Sequence, residues 1–420
     1  GAWILGGGQR TGAGRGRLRV QRVLVVVQVA VSVVLLVGAA LLTRTFVRLA
    51  DVPTGLETRE VLSVSVPLLT TSQLLGGPPV YAAAWARYES MREELAALPG
   101  VRGAGLGSIA PLAASTIRFD LKVEGTADPT DGVRPRAEFR TAGPEYFRAA
   151  GIPLVAGRGF ADTDRFGSAP VVVINQYLAA QLFPGGDALG RRIAWTGDVL
   201  RFTPISAEWR TVVGIVGTIQ DGGPGAAPAG VVYHPFAQEV PIGGTLVVST
   251  DSNVKALIPV VTRIVRRLAP TAPLEGLQTI TQFREASLAP RRLNAVLLAA
   301  FGLVAVLVAA VGIGGVLAFS VRARTAEIGI RMSLGADAGR VTRMILGEGA
   351  RLVILGLVLG LAGASFASAL LRGLLWGVAP NDPLALLGVA FAMGVIGLAA
   401  CWLPAARAAR IDPAITMRAL

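Results

Sequence analysis

One histidine and one cysteine are all that the 420-residue chain offers to imidazole or thiolate chemistry: His234 in VVYHPF, and Cys401 inside an apolar run. A lone cysteine forms no internal disulfide, so any folded domain is held by its own core. His234 stands in a strand-like stretch, the setting of a structural or surface histidine rather than of a ligand or base. Asp162 and Asp164 in FADTDRFG come closest to a cation loop. They lack the ligand count and glycine position of a calcium loop, and a turn is the simpler reading. The glycine-rich start, GGGQRTGAGRGR, has no G-K-[ST] and no preceding strand, so it is not a phosphate loop. It reads as a basic tail lying on an anionic membrane face. G-x-S-x-G, H-E-x-x-H and Cys/His clusters are absent from the sequence. The expectation is a chain with no catalytic residue, no metal site and no cofactor, and hence not an enzyme.

Composition points to the membrane. Of all residues 52% are hydrophobic and only 16% charged, against about a quarter charged in a soluble domain. A membrane-crossing helix takes about 20 mostly apolar residues, because ~1.5 Å per residue must cover ~30 Å. Four uncharged runs qualify, at 23–42, 295–319, 352–371 and 384–403, the first interrupted only by the polar Gln28 and Ser32. The net charge of +13 would suit nucleic acid, but its placement excludes that partner. Residues 1–22 hold five arginines and no acid, 320–351 hold six against three acids, and 404–420 hold three against one. Arginine collects on the cytoplasmic side of short loops. Both termini and the 320–351 loop are therefore expected in the cytoplasm. The 252 residues of 43–294, with 25 basic and 22 acidic side chains, are expected outside, as is the short loop 372–383. Trp376 and Trp402, near span ends, suit either interfacial anchoring or packing against neighbouring helices.

The outer segment reads as short strands interleaved with short helices. Strands are expected at 61–67, 101–106, 119–124, 137–141, 171–174, 209–216, 231–233 and 245–249. Helices are expected at 80–98, from Pro144 through Tyr146 and Phe147, from the cap Asn175 to Phe183, and at 256–268. This is an α+β domain, in two lobes.

The stretch SVRARTAEIGIRMSLGADAGRVTRMILGEGAR, 320–351, carries the most information. A short helix is predicted over 322–334, with Glu327 and Arg331 four apart on one face, the acid first. Gly335 is placed to end it and Asp337 to cap the next helix, which would run through Val341 and Ile345 into the third span. Such a helix across the end of a span fits a docking surface and an ordinary loop helix equally well on chemistry alone. Within the third span Gly356 and Gly360 form a G-x-x-x-G pair, which lets helix backbones approach. Gln28 is expected to face other helices and find an interhelical hydrogen bond.

Several stretches resemble the FtsX/MacB-type ABC transporter permeases. They are GIGGVLAFSVRARTAEIGIRMSLGA (312–336), LPAARAARIDPAITMR (403–418), GPEYFRAAGIPLVAGRGF (143–160), VVVINQYLAAQLFPGGDALGRRI (171–193) and VVGIVGTIQD (212–221). The resemblance implies an α-helical inner-membrane protein: four transmembrane helices and a large α+β extracytoplasmic domain of the MacB periplasmic core type. It also implies that the loop carrying Glu327, Ile328, Gly329, Arg331 and Gly335 meets a cytoplasmic ABC ATPase subunit. ATP-driven motion would pass through a stalk at 279–294 to the outer domain, for export or extraction of a substrate. Pro290 interrupts that stalk's hydrogen bonding and puts its straightness in question. No nucleotide motif is present, so the ATPase is expected on a separate polypeptide. The arginine-rich start without Met looks like the second half of a duplicated orphan permease, with another permease half or a homo- or heterodimer completing the unit. An extracytoplasmic adaptor or substrate protein, and membrane lipid, are the further partners implied. The competing reading is a signalling scaffold of the FtsX kind that acts on an extracytoplasmic partner without transport.

Overall fold

The computed structural model describes residues 10–57, 60–70, 72–73, 77–115, 118–127, 132–196, 208–239, 243–325 and 337–408. The elements begin with α1 (Arg10–Ala50), β1 (Val61–Ser65), α2 (Pro78–Ala96), β2 (Val101–Gly107), β3 (Arg118–Val123), β4 (Arg136–Ala142) and α3 (Tyr146–Ala150). They continue with β5 (Leu154–Gly157), β6 (Val171–Asn175), α4 (Gln176–Leu182), β7 (Arg192–Thr196), β8 (Arg210–Val216) and β9 (Val231–Pro235). The last are β10 (Thr245–Thr250), α5 (Val254–Leu268), β11 (Glu275–Thr279), α6 (Ile280–Ala323), α7 (Ala338–Leu370) and α8 (Pro383–Ala408). Two compact units result: Gly1–Ala50 with Pro290–Leu420, and Asp51–Ala289.

In the first unit α1, α6, α7 and α8 each hold a stretch long and apolar enough to cross a membrane, and this is a membrane protein. The uncharged runs are helical, the third as far as Leu370, because every backbone group in lipid must be bonded within its own segment, and each helix continues beyond its run on at least one side. A stripe at every fourth position of α1, Val25, Val29, Val33, Val37 and Leu41, forms the unit's core with Val306, Ile313 and Leu317 of α6, Val353 of α7 and Met393 of α8. Four-residue spacing keeps such a stripe on one helix face. α6 starts in a reciprocal capping box: Thr279 Oγ1 accepts from Gln282 N (3.1 Å) and Gln282 Oε1 from Thr279 N (2.9 Å). Pro290 lies inside this helix without ending it. It removes one donor while the turns on either side remain helical.

The second unit joins its described strands into one continuous sheet rather than two separate lobes. Four strands run in the order β11-β1-β10-β2, and β2 meets β4 at a single pair, Gly107 opposite Ala142. From there β4-β3-β7-β8-β6-β9 closes on itself, because β9 pairs with β4 in parallel. Period-two alternation sorts the ring's strands between two cores. Val172, Ile174 and Val232 join α4's Leu178, while Val171, Val173, Val231 and Tyr233 join α3. On the four-stranded part α2 and α5 cover one face through Tyr88, Met91, Leu95, Val261 and Val265.

The other face of β2 explains the motif VRGAGLG. Gly103, Gly105 and Gly107 alternate along the strand, and a Cβ on Gly105 would sit 2.6 Å from Tyr146 Cα. One face of the strand is thus bare, and α3 rests directly on it. Asn175 caps α4 by accepting from Leu178 N (3.1 Å), and the same oxygen accepts from Val231 N (3.1 Å). The strands β5, β7 and β11 are additions to the sequence-based pattern.

Candidate functional site

The residues singled out for coupling, Glu327, Ile328, Gly329, Arg331 and Gly335, lie outside the described residues. What frames them is described. On one side Thr325 Oγ1 donates to Val321 O and Arg322 O, both at 3.0 Å, in the last turn leading out of α6. On the other side Asp337 occupies the N-cap of α7 in extended conformation, but its carboxylate makes no capping hydrogen bond, contrary to its expected role.

About three turns further along α7, three helices converge on one carboxylate. Glu348 of α7 accepts from Arg324 Nη1 (2.7 Å), from Arg22 Nη2 of α1 (3.4 Å) and from Ser320 Oγ of α6 (3.4 Å). An isolated exposed ion pair contributes about 0–1 kcal/mol, but a shared carboxylate fixes three helices at one point. In the sequence Glu348 is one of three acids among six arginines in 320–351. The available signal was an acid beside the first turns of a span, where charge is costly unless partnered. At the opposite end of the unit Arg44 Nη1 donates to Asp382 Oδ1 at 2.5 Å. That oxygen also accepts from Leu384 N (3.0 Å) and Ala385 N (3.3 Å), capping α8.

Between these polar ends the helices meet through glycine. A Cβ at Gly356 would lie 2.6 Å from Val29 Cβ and 3.1 Å from Val26 O; at Gly360 it would lie 2.7 Å from Val33 Cβ and 3.0 Å from Ala30 O. α7 therefore lies against α1 at backbone distance, which only a missing side chain permits. Gly349 receives Cys401 in the same way, its Cβ position 2.3 Å from the Sγ. The buried thiol is a packing group. Gln28 faces Gly312, but its Oε1 is buried without a hydrogen-bond partner among the described residues. Glycine has no side-chain donor, and the backbone N–H groups of α6 are engaged within their own helix.

In the second unit, buried ionisable groups pair with each other. Arg140 donates to Glu138 Oε2 (2.7 Å), Asp221 Oδ1 (3.0 Å) and Ala113 O (3.3 Å), and all three charged groups are buried. Burial pushes the Asp221 carboxyl up to about 6 against the pull of Arg140. Trp195 Nε1 donates to His234 Nε2 at 3.0 Å, so the ring's proton sits on Nδ1, 2.8 Å from Glu239 Oε1. Burial, helped by the Arg210 guanidinium, holds this imidazole down to about 4 against Glu239. His234 is a neutral, tautomer-locked core group. Asp164 is held by Arg158 through two hydrogen bonds (2.6 and 3.0 Å) and accepts from Ala161 N (2.8 Å), which closes a turn.

Two family profiles match the chain in order. One is described as the MacB-like periplasmic core domain, over residues 23–275, and the other as the FtsX-like permease C-terminal, over residues 299–413. Among curated proteins, the chain is 30% identical over 286 residues to the macrolide export ATP-binding/permease protein MacB 1/2 of Paracoccus denitrificans, covering 66% of this chain and 41% of that one. It is 27% identical over 274 residues to the pyoverdine export ATP-binding/permease protein PvdT of Pseudomonas syringae pv. tomato, covering 62% of this chain and 40% of that one. The chain thus spans about two fifths of the length of these relatives. A solved structure of the periplasmic region of MacB from Actinobacillus actinomycetemcomitans aligns at a TM-score of 0.35 and 14% identity, over 57% of this chain and 97% of that one, too slight a likeness to argue from. The two profile matches, the first covering more than half of the chain, are decisive: the chain belongs to the FtsX/MacB-type ABC transporter permease family.

Proposed function

We propose that this chain is the permease component of an ABC-type system and transmits ATP-driven motion from a cytoplasmic ATPase to the outer domain, for export or extraction of a substrate. The observation that carries this reading is the Glu348 clamp, which ties α1, α6 and α7 together beside the loop 326–336. Force applied to that loop is shared among three helices instead of bending one. The arginine excess on the same end supports a cytoplasmic location for it and for both termini, with the outer domain across the inner membrane. In this reading Glu327, Ile328, Gly329, Arg331 and Gly335 form the surface that the ATPase meets. A second permease half or another copy completes the membrane part. An extracytoplasmic adaptor or substrate protein engages the outer domain.

The test is affinity purification of the chain in mild detergent, with mass spectrometry of what accompanies it, against a Glu327→Arg, Arg331→Glu double variant. An ABC ATPase is expected with the native chain and lost with the variant. An ATPase retained equally by both removes the loop from the interface, and none with either overturns the coupling reading.

A further inference from the structure

A groove at the arginine-rich end of the helical unit has members of the Glu348 clamp at its mouth. It has a volume of about 550 Å³ and is bounded by α1, α6 and α7. Its walls are apolar. Val23 and Val27 of α1 are 63% and 53% exposed, and Leu355 and Leu359 of α7 are 55% and 57% exposed, so this apolar surface is left uncovered. Its mouth is charged, with Arg22, Arg351, Glu348 and Ser320. Glu348 is already engaged by Arg22, Arg324 and Ser320. Arg351 is exposed and has no ion-pair partner among the described residues.

Leu359 lies eight residues beyond Arg351 on α7, which places it about 12 Å further along the axis. The groove is thus an apolar trough leading inward from guanidinium groups at the membrane surface. That is the complement of a phospholipid: guanidinium forks match phosphate oxygens, and the aliphatic walls match an acyl chain. The volume is that of an ordinary ligand site. We propose that this groove binds a single anionic phospholipid, its phosphate on Arg351 and Arg22 and one acyl chain along Val27, Leu355 and Leu359. The bound lipid then adds a fourth member to the Glu348 clamp and ties α1 to α7.

Native mass spectrometry of the full chain, released from nanodiscs of equimolar phosphatidylglycerol and phosphatidylcholine, tests this. The native chain is expected to retain one phosphatidylglycerol in preference to phosphatidylcholine. Arg351→Gln should lower that retention about tenfold by removing a charge-assisted phosphate contact. Val27→Trp, which fills the trough, should abolish retention of both lipids. Equal retention of the two lipids, or an unchanged preference in Arg351→Gln, overturns the proposal. So does a dimer that Val27→Trp dissociates while bound lipid is unaffected, since the groove then receives a second copy. Should Val27→Trp fail to fold, Arg351→Gln decides alone, because its side chain is exposed. No ATPase enters the assay, so its outcome is independent of the coupling reading.

Discussion

At the scale of single residues, the outer domain buries two ionisable groups whose effects on stability oppose each other. His234 is held at about 4, below the ordinary 6.5, so between those values the unfolded chain takes up a proton that the folded one refuses. Its contribution is lost as pH falls through that window. Asp221 is raised from 3.8 to about 6, so the folded chain keeps a proton that the unfolded one releases, and its contribution is lost as pH rises through 4 to 6. Each is worth roughly 3 kcal/mol over its window. The native chain should therefore show a shallow pH dependence of stability between pH 4 and 6. His234→Gln should gain stability on acidification across that range, and Asp221→Asn should lose it. Urea unfolding of the full chain in detergent, followed by tryptophan fluorescence, reads this, and identical slopes in the three proteins would contradict it. None of these partnerships was legible in the sequence. Arg140 and Asp221 stand 81 positions apart, and Trp195 and His234 stand 39 apart. What was legible is that His234, in the strand-like VVYHPF, is a structural or surface group rather than a ligand or base.

At the scale of elements, glycine sets how closely they approach. Gly360 of α7 has no room for a methyl group, its Cβ position being 3.0 Å from the backbone oxygen of Ala30, which no rotamer change relieves. Gly347 of the same helix has nothing within 4 Å. Gly360→Ala should destabilise the helical unit by about 1–3 kcal/mol through overpacking. Gly347→Ala should leave it unchanged or stabilise it by up to about 1 kcal/mol through helix propensity. Thermal unfolding in detergent distinguishes the two, and equal effects would contradict the close approach. The four apolar helices could be read directly, because uncharged runs of this length have few other uses. Most strands could be read too, from alternation such as VLSVS. β11, EGLQT, could not, since it holds one large apolar residue and is a strand only because β1 offers it an edge. β5, LVAG, pairs only with β8, and Leu154 and Val155 remain exposed, so burial marked nothing there. The Glu348 clamp was out of reach for the same reason as the buried pairs: Arg22 and Glu348 are 326 positions apart.

At the scale of the whole molecule, the proposed coupling requires residues 326–336 to face one aqueous phase and the large domain the other. The arginine distribution carries that assignment, and the chain's single, buried cysteine makes it measurable. Thr163 lies in an exposed turn of the second unit, and Ser333 falls within residues 326–336. The decisive measurement is labelling of Thr163→Cys and Ser333→Cys, each in a Cys401→Ala background, with a membrane-impermeant maleimide on spheroplasts before and after lysis. Thr163→Cys is predicted to label in intact spheroplasts and Ser333→Cys only once the membrane is broken. Labelling of both before lysis, or the reverse pattern, would contradict a permease that takes its drive from the cytoplasm.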